Sequence, residues 1–323
     1  MRAIVFTLLS FIAVLSLISG ILVGSVDAGL GDLMDTLHGK ENMKGYIILN
    51  VRMPRTLGAF FGGAALAVSG LLLQTYFRNP LAGPYVLGIS SAAAFGVALY
   101  ILAGIGAGYG IVGAAFAGSA IATVLILYIA ARVRSAVTLL IAGLMLGYVF
   151  SAFERILITL AESEKVHEFV LWTFGSFSGI TWDDLRVLFT LSIPVFVLTF
   201  LLSKPLNAML LGEDYARSMG VDVRLLRIAV VATSSFLASL VTAFSGVVAF
   251  IGLATPHIAR LLFRTSDHRI LTPATILLGA SIAVLCDVVA RALLSPIELP
   301  VSVITSIFGA PIVIFLVMRR KRV

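Results

Sequence analysis

The residues of this chain that could do chemistry gather in two places. Glu213, Asp214, Arg217 and Asp222 fall between two long apolar segments, with Arg224 and Arg227 just beyond. Tyr215, Ala216 and Met219 stand among them at helical spacing, bracketed by Gly212 and Gly220. The stretch 210–223 therefore reads as two short helices hinged at glycine. Charges of both signs around a few apolar side chains suit docking into a partner protein; an ordinary solvated loop is the competing reading. The second group is Arg52, Arg55, Asp287 and Arg291. Asp287 is the only acid well inside an apolar run, and Arg291 lies four residues later on the same helical face, the spacing of an ion pair.

Neither group resembles a catalytic centre. The chain holds no Walker A pattern, no HExxH, no GxSxG and no His/Cys cluster. Cys286 is the only cysteine, so no intrachain disulfide or cysteine metal site can form. His38, His167, His257 and His268 show no metal-ligand spacing and read as structural residues, and no haem ligand is evident. If ATP drives this protein, the ATPase is a separate chain.

What must position these residues is a membrane bundle. Of the 323 residues 60% are hydrophobic and 12% charged, with a mean hydropathy of +1.09. That excludes a soluble catalytic domain and leaves room for roughly ten spans of about 20 residues each. The net charge of +7 has no basic patch or aromatic platform behind it, so it does not indicate nucleic acid.

Span 1 covers about 3–25. It follows Arg2 and is longer than a signal-peptide core, so it reads as a retained helix in spite of the passable cleavage site at Val26-Asp27-Ala28. A polar stretch follows at 27–50, with Asp27, Asp32, Asp35 and Glu41 against Lys40 and Lys44. Span 2, about 56–77, carries Gly58-x-x-x-Gly62, a spacing that permits close helix approach. Residues 79–131 hold no charge and must cross and return, with the turn in GIGAGYG at 104–110. Spans 5 and 6 take about 135–158 and 187–203, separated by the acidic loop 161–186 with its amphipathic VHEFVLWTFGSFSG. Span 7 takes about 228–249, a short proline-bearing helix 253–266, and the last two spans about 270–292 and 301–318.

Charge parity orients the bundle. With both termini and the loops at 78–84, 132–134, 204–227 and 260–269 inside, 15 of the 23 Lys and Arg are cytoplasmic. Arg52, Arg55 and Arg291 then map to the outer side, against the bias. Complementary charge for an external partner is one explanation; snorkelling to headgroups is the other.

Further motifs carry a family resemblance from about residue 50 to the C-terminus: VRMPRTL at 51–57, GGAALAVSGLLLQ at 62–74, RNPLAGPYVLGISSAAAFG at 78–96, FIGLATPHIARLL at 250–262, DHR at 267–269 and ELPVSVITSIFGAP at 298–311. With 210–223 they resemble the permease subunits of binding-protein-dependent ABC importers, the group that carries iron-siderophore, haem and cobalamin. The resemblance implies an all-α polytopic membrane protein of about ten spans, one of them short, with the type II ABC importer permease fold. It implies that Gly212, Glu213, Asp214, Tyr215, Ala216, Arg217, Ser218, Met219 and Gly220 form the coupling segment seated in an ATPase. It also implies that Arg52, Arg55 and Arg291 bind acids on an external substrate-binding protein, and that 166–179, with Phe169, Trp172, Phe174 and Gly175, takes the place of the outer gating helix.

The partners implied are a second copy of the chain, two ATP-binding cassette subunits, the binding protein and the bilayer of the cell membrane. No cofactor is implied in this chain, since ATP and magnesium belong to the ATPase. Two other readings remain open at this point: an ion- or proton-coupled carrier, and a non-transporting scaffold or receptor. Within the importer reading, molybdate or tungstate is a further cargo.

Overall fold

Apolar runs broken by Pro, Gly and charge fold into fifteen helices among the described residues, which in this computed structural model are 2–24, 26, 29–38, 42–106, 110–133 and 135–320. Asp27, Lys40, Glu41, 107–109 in the glycine run, Arg134, Lys321 and Arg322 entered the readings above and lie outside them. Helix α1 (Arg2–Leu22) leads to two short helices, α2 (Leu30–Leu37) and α3 (Met43–Ile47). A π-helical turn over Ile48–Arg52 carries α3 into α4 (Met53–Tyr76), so one apolar helix runs over Met43–Tyr76. Next come α5 (Ile89–Ile101), α6 (Gly110–Arg132), α7 (Ala136–Leu160), the amphipathic α8 (Ser163–Thr173) and α9 (Trp182–Leu201). Two short helices, α10 (Ser203–Leu210) and α11 (Glu213–Ser218), precede α12 (Val223–Ser245), α13 (Ile251–Phe263), α14 (His268–Ala292) and α15 (Val301–Arg320).

Among the described residues seven helices are long and apolar enough to cross a membrane, and three shorter apolar ones complete the ten segments expected. The expectation of a single short span needs correction. Both α5 and α13 have 13 residues, about 20 Å at ~1.5 Å per residue, against a hydrocarbon core of ~30 Å. Pro80, Gly83, Pro84 and Gly88 keep 79–88 out of helix, and Gly88 enters α5 at φ 78° with its Cα against α7 at Gly143 and Gly147.

Side-chain bonds between helix ends sort the bundle into two faces. On one, Arg227 at the start of α12 donates to the Tyr76 hydroxyl and to the Val133 carbonyl after α6. Gln74 accepts from Arg260 at 2.7 Å, and His268 makes bonds of 2.7 Å and 2.8 Å to Asn207 and Thr75. Asn207 donates to Asp267 at 2.7 Å; this and the N–H of Arg269 hold the Asp267 carboxyl below its ordinary range. Ser135, Asp222 and Asp267 cap α7, α12 and α14 on this face. On the opposite face Thr181 and Asp184 form a capping box for α9, and the Trp182 indole donates to the Leu49 carbonyl at 3.0 Å.

Between the faces α4, α12 and α14 form the core, while α1, α7 and α9 turn most of their apolar side chains outward, as lipid-facing helices do. The contact that sets α4 against α14 is glycine to glycine: a Cβ on Gly279 would lie 2.6 Å from the Gly63 carbonyl. Gly58 and Gly62, whose spacing suggested helix approach, meet Ile180 and Phe177 of the segment after α8, and Gly62 also meets Val241 of α12.

Candidate functional site

One charge cluster is built where α4 begins and α14 ends. Arg55 donates through Nε to both Asp287 oxygens at 3.1 Å, through Nη2 to Oδ1 at 3.0 Å, and through Nη1 to Glu298 at 2.8 and 3.0 Å. Arg291 Nη2 lies 3.2 Å from Asp287 Oδ2, an ion pair held by charge rather than by an aligned hydrogen bond. Arg52 donates to the carbonyls of Leu22, at 2.7 Å, and Val26. Leu22 ends α1, where unpaired carbonyls and the helix dipole favour a cation, and Val26 lies beyond that end.

The i,i+4 pair expected of Asp287 and Arg291 is therefore present. Arg52, Arg55 and Arg291, expected to bind acids of an external protein, are 4%, 4% and 2% exposed and already have partners within the chain. Their desolvation is compensated inside the chain by two acids and a helix end. Glu298 escaped the sequence reading, although an acid in the short 293–300 connection, on the side with surplus arginine, was the available signal.

On the opposite face, Gly212 at φ 118° separates α10 from α11, and Gly220 at φ 83° ends α11. Of the two short helices expected within 210–223 only α11 lies there; its neighbour across Gly212, α10, ends at Leu210, and α12 starts at Val223. Glu213 and Asp214 sit in the first turn of α11 and Arg217 in its last, the arrangement that suits the helix dipole. Arg217 lies 3.6 Å from Glu213. Ala216 is fully buried and anchors the helix, whereas Tyr215 is 51% and Met219 60% exposed. Asp214 and Ser218 also face outward, and the Ser218 hydroxyl is turned back to the Tyr215 carbonyl at 2.7 Å. The result is a small helical knob with two large apolar side chains at its surface.

Helix α8 lies by the C-terminal ends of α5 and α12. Phe169 is buried in a cluster with Ala93, Val97 and Ala243, and Trp172 packs against it half-buried. Phe174 stays exposed. Gly175, at φ 71°, accepts from the Val301 N–H at 3.2 Å, tying α8 to the first turn of α15. Its Cα faces the Val247 carbonyl so closely that a Cβ would collide with it. The four residues expected at a gate therefore sit at the junction of α8, α12 and α15.

Below this junction an apolar cavity of about 360 Å³ opens between α13, α14 and α15, lined by Phe250, Thr255, Cys286, Val289, Thr305 and Phe308 among others. His257 and His268 hydrogen-bond within the protein, to Pro80 in one case and to Asn207 and Thr75 in the other. Among the described residues no three His, Cys, Asp or Glu side chains converge as metal ligands do.

Solved structures define the class. A structure described as an inward-facing conformation of a metal-chelate type ABC transporter aligns over 99% of this chain and 100% of its own, with a TM-score of 0.87 and 31% identity. PsaBC from Streptococcus pneumoniae, solved with a Fab, aligns with a TM-score of 0.55 and 17% identity, a likeness of fold alone. The chain is a permease subunit of an ABC importer, a transport component without a catalytic role. It belongs to the FecCD transport family, which it matches over residues 10–319.

Among its relatives is the vitamin B12 import system permease protein BtuC of Shigella boydii serotype 18, 36% identical over 97% of this chain and 94% of the relative. The BtuC proteins of Klebsiella pneumoniae and Salmonella paratyphi A are 38% and 39% identical over 85% of this chain, covering 83% and 84% of their own lengths.

Proposed function

We propose that two copies of this chain form the membrane channel of an importer for a metal chelate of the cobalamin, haem or ferric-siderophore class. Two ATPase subunits seat on the face that carries α11, and a binding protein delivers cargo at the opposite face. ATP-driven closure of the ATPases, felt through 212–220, switches the side to which the pathway opens. Both chain ends lie on the ATPase side, in the cytoplasm, in agreement with the 15 basic residues placed there. The names of the BtuC relatives and the metal-chelate type neighbour support this cargo class. A proton-coupled carrier is poorly supported, because Asp287 is already locked between two arginines.

The observation that carries the proposal is α11 itself, an isolated helical knob that buries Ala216 yet exposes Tyr215 and Met219. Exposed aromatic and Met side chains on a rigid support are what a partner's groove takes up. The binding protein docks over the Arg52, Arg55 and Arg291 cluster, with Glu298, 38% exposed along its side chain, as the accessible edge. Phe169, Trp172, Phe174 and Gly175 gate the pathway on that side.

Replacing 213–217 by a Gly/Ser linker is expected to abolish co-purification of the ATPase while leaving a monodisperse, helical permease. Undiminished co-purification would sink the docking role. In liposomes, ATP hydrolysis should rise with one loaded binding protein from a panel carrying cobalamin, haem and ferric siderophores, and uptake of that ligand should follow.

A further inference from the structure

Beside α11, and bordered by its Arg217, lies a second cavity of about 560 Å³. Ala131, Arg132 and Val133 at the end of α6 form one wall, and 221–224 with Arg217 and Arg227 form the other. Four arginines therefore face one hollow. The acid among them, Asp222, is engaged as the α12 N-cap, accepting the N–H groups of Arg224 and Leu225 at 2.9 and 3.0 Å. Arg217 shares its charge with Glu213 at 3.6 Å, and Arg227 is held by Tyr76 and Val133. Arg132 and Arg224 are exposed and carry the cavity's available positive charge.

The cavity's height in the bundle identifies its occupant. Arg132 is in the last turn of a membrane-crossing helix and Arg224 in the first turn of another, so both stand where hydrocarbon meets water. Tyr128, one turn back and 55% exposed, has the Arg132 guanidinium 4.2 Å from its ring centroid. An exposed tyrosine beneath an arginine is an interfacial anchor. Leu225, beside Arg224, is 64% exposed, and Ile121, Val124 and Leu125 open the adjoining face of α6 to the acyl region. Basic hollows between helices at headgroup depth take anionic lipid.

We propose that this cavity binds the headgroup of an anionic phospholipid of the adjacent leaflet, its phosphate between Arg132 and Arg224 and its acyl chains along α6. Seated there, the lipid joins the end of α6 to the start of α12 beside the ATPase-docking helix. The site is a property of the membrane-embedded chain and does not depend on the docking role of α11.

The test is native mass spectrometry of the full-length permease, purified in detergent and supplied with phosphatidylglycerol, phosphatidylcholine, or inorganic phosphate alone. The wild type is expected to retain phosphatidylglycerol over phosphatidylcholine. Arg132→Gln with Arg224→Gln should weaken that retention about tenfold or more, as loss of two interfacial cations implies. Arg132→Lys with Arg224→Lys keeps the charge and should hold lipid, which guards against a folding artefact. Equal retention of the two lipids, or of phosphatidylglycerol by wild type and Gln variant, overturns the proposal. So does phosphate that binds and is not displaced by lipid, which assigns the site to a free anion. Loss of ATPase co-purification with lipid retention intact also overturns it, since the arginines would then face an acidic surface of the ATPase.

Discussion

Asp287→Asn is expected to destabilise the permease by about 3–5 kcal/mol, the usual cost of removing one partner from a buried charge pair. Asp287 is fully buried and holds Arg55 by three hydrogen bonds and Arg291 by an ion pair. An amide keeps the shape but not the charge, so two guanidiniums at 4% and 2% exposure would remain in low dielectric with one acid between them. Glu298→Gln provides the contrast. Its carboxylate is the more exposed partner of Arg55, so water and Asp287 compensate, and the loss should stay below about 1 kcal/mol. Adding Arg291→Met to Asp287→Asn should recover much of the deficit, because the stranded cation is gone while Arg55 keeps Glu298. Thermal unfolding in detergent of the singles and the double isolates this coupling. If Asp287→Asn melts with Glu298→Gln, the cluster does not hold the start of α4 and the end of α14 together.

The same cluster marks the limit of sequence reading. That Asp287 and Arg291 pair was legible from a spacing of four within one helix. That Arg55 joins them, 232 positions away in the chain, was not. Hydropathy and charge bias place a residue at a depth in the membrane, but they do not fix the rotation of its helix. Depth and charge bias placed Arg52, Arg55 and Arg291 on one side of the bundle, and the packing of α4 against α14 and α1 buries them there.

Span boundaries show the same split. Charged residues delimited α7, α9, α12 and α14 closely enough to predict them, whereas 79–131 has no charge to mark an edge. The shortness of α5 follows from the turns over 79–88 and from the contact of Gly88 with α7, which is tertiary information. The segment 212–220 was readable because glycine, charge and helical spacing coincide within nine residues. Its local signal is complete for α11, while the helix on the other side of Gly212, α10, lies before the stretch that carries that signal.

Two glycine contacts fix the framework on which both faces depend, and both are predicted to be intolerant of a side chain. A Cβ on Gly63 would run into Ala283 and the Gly279 carbonyl of α14; a Cβ on Gly70 would run into the Gly252 carbonyl of α13. The obstacle in each case includes backbone, which cannot rotate away, so the helices must separate. Overpacking a core costs about 1–3 kcal/mol, and Gly63→Val or Gly70→Val should lie at or beyond the top of that range. Gly70→Val has the more specific consequence. Helix α13 begins inside the bundle, and Gly252, in its first turn, is also pressed against the Leu66 carbonyl and Pro84. Displacing that turn should shift Phe250, Ile251 and Thr255, which line the apolar cavity, and transport should fall further than stability does. Gly179→Ala supplies the control, because nothing approaches a Cβ there within 4 Å. Thermal unfolding and uptake measured together separate the cases: Gly179→Ala near wild type, Gly63→Val failing in both, Gly70→Val failing first in uptake. A Gly70→Val protein that transports as well as Gly179→Ala would mean that the approach of α13 to α4 does not shape the pathway.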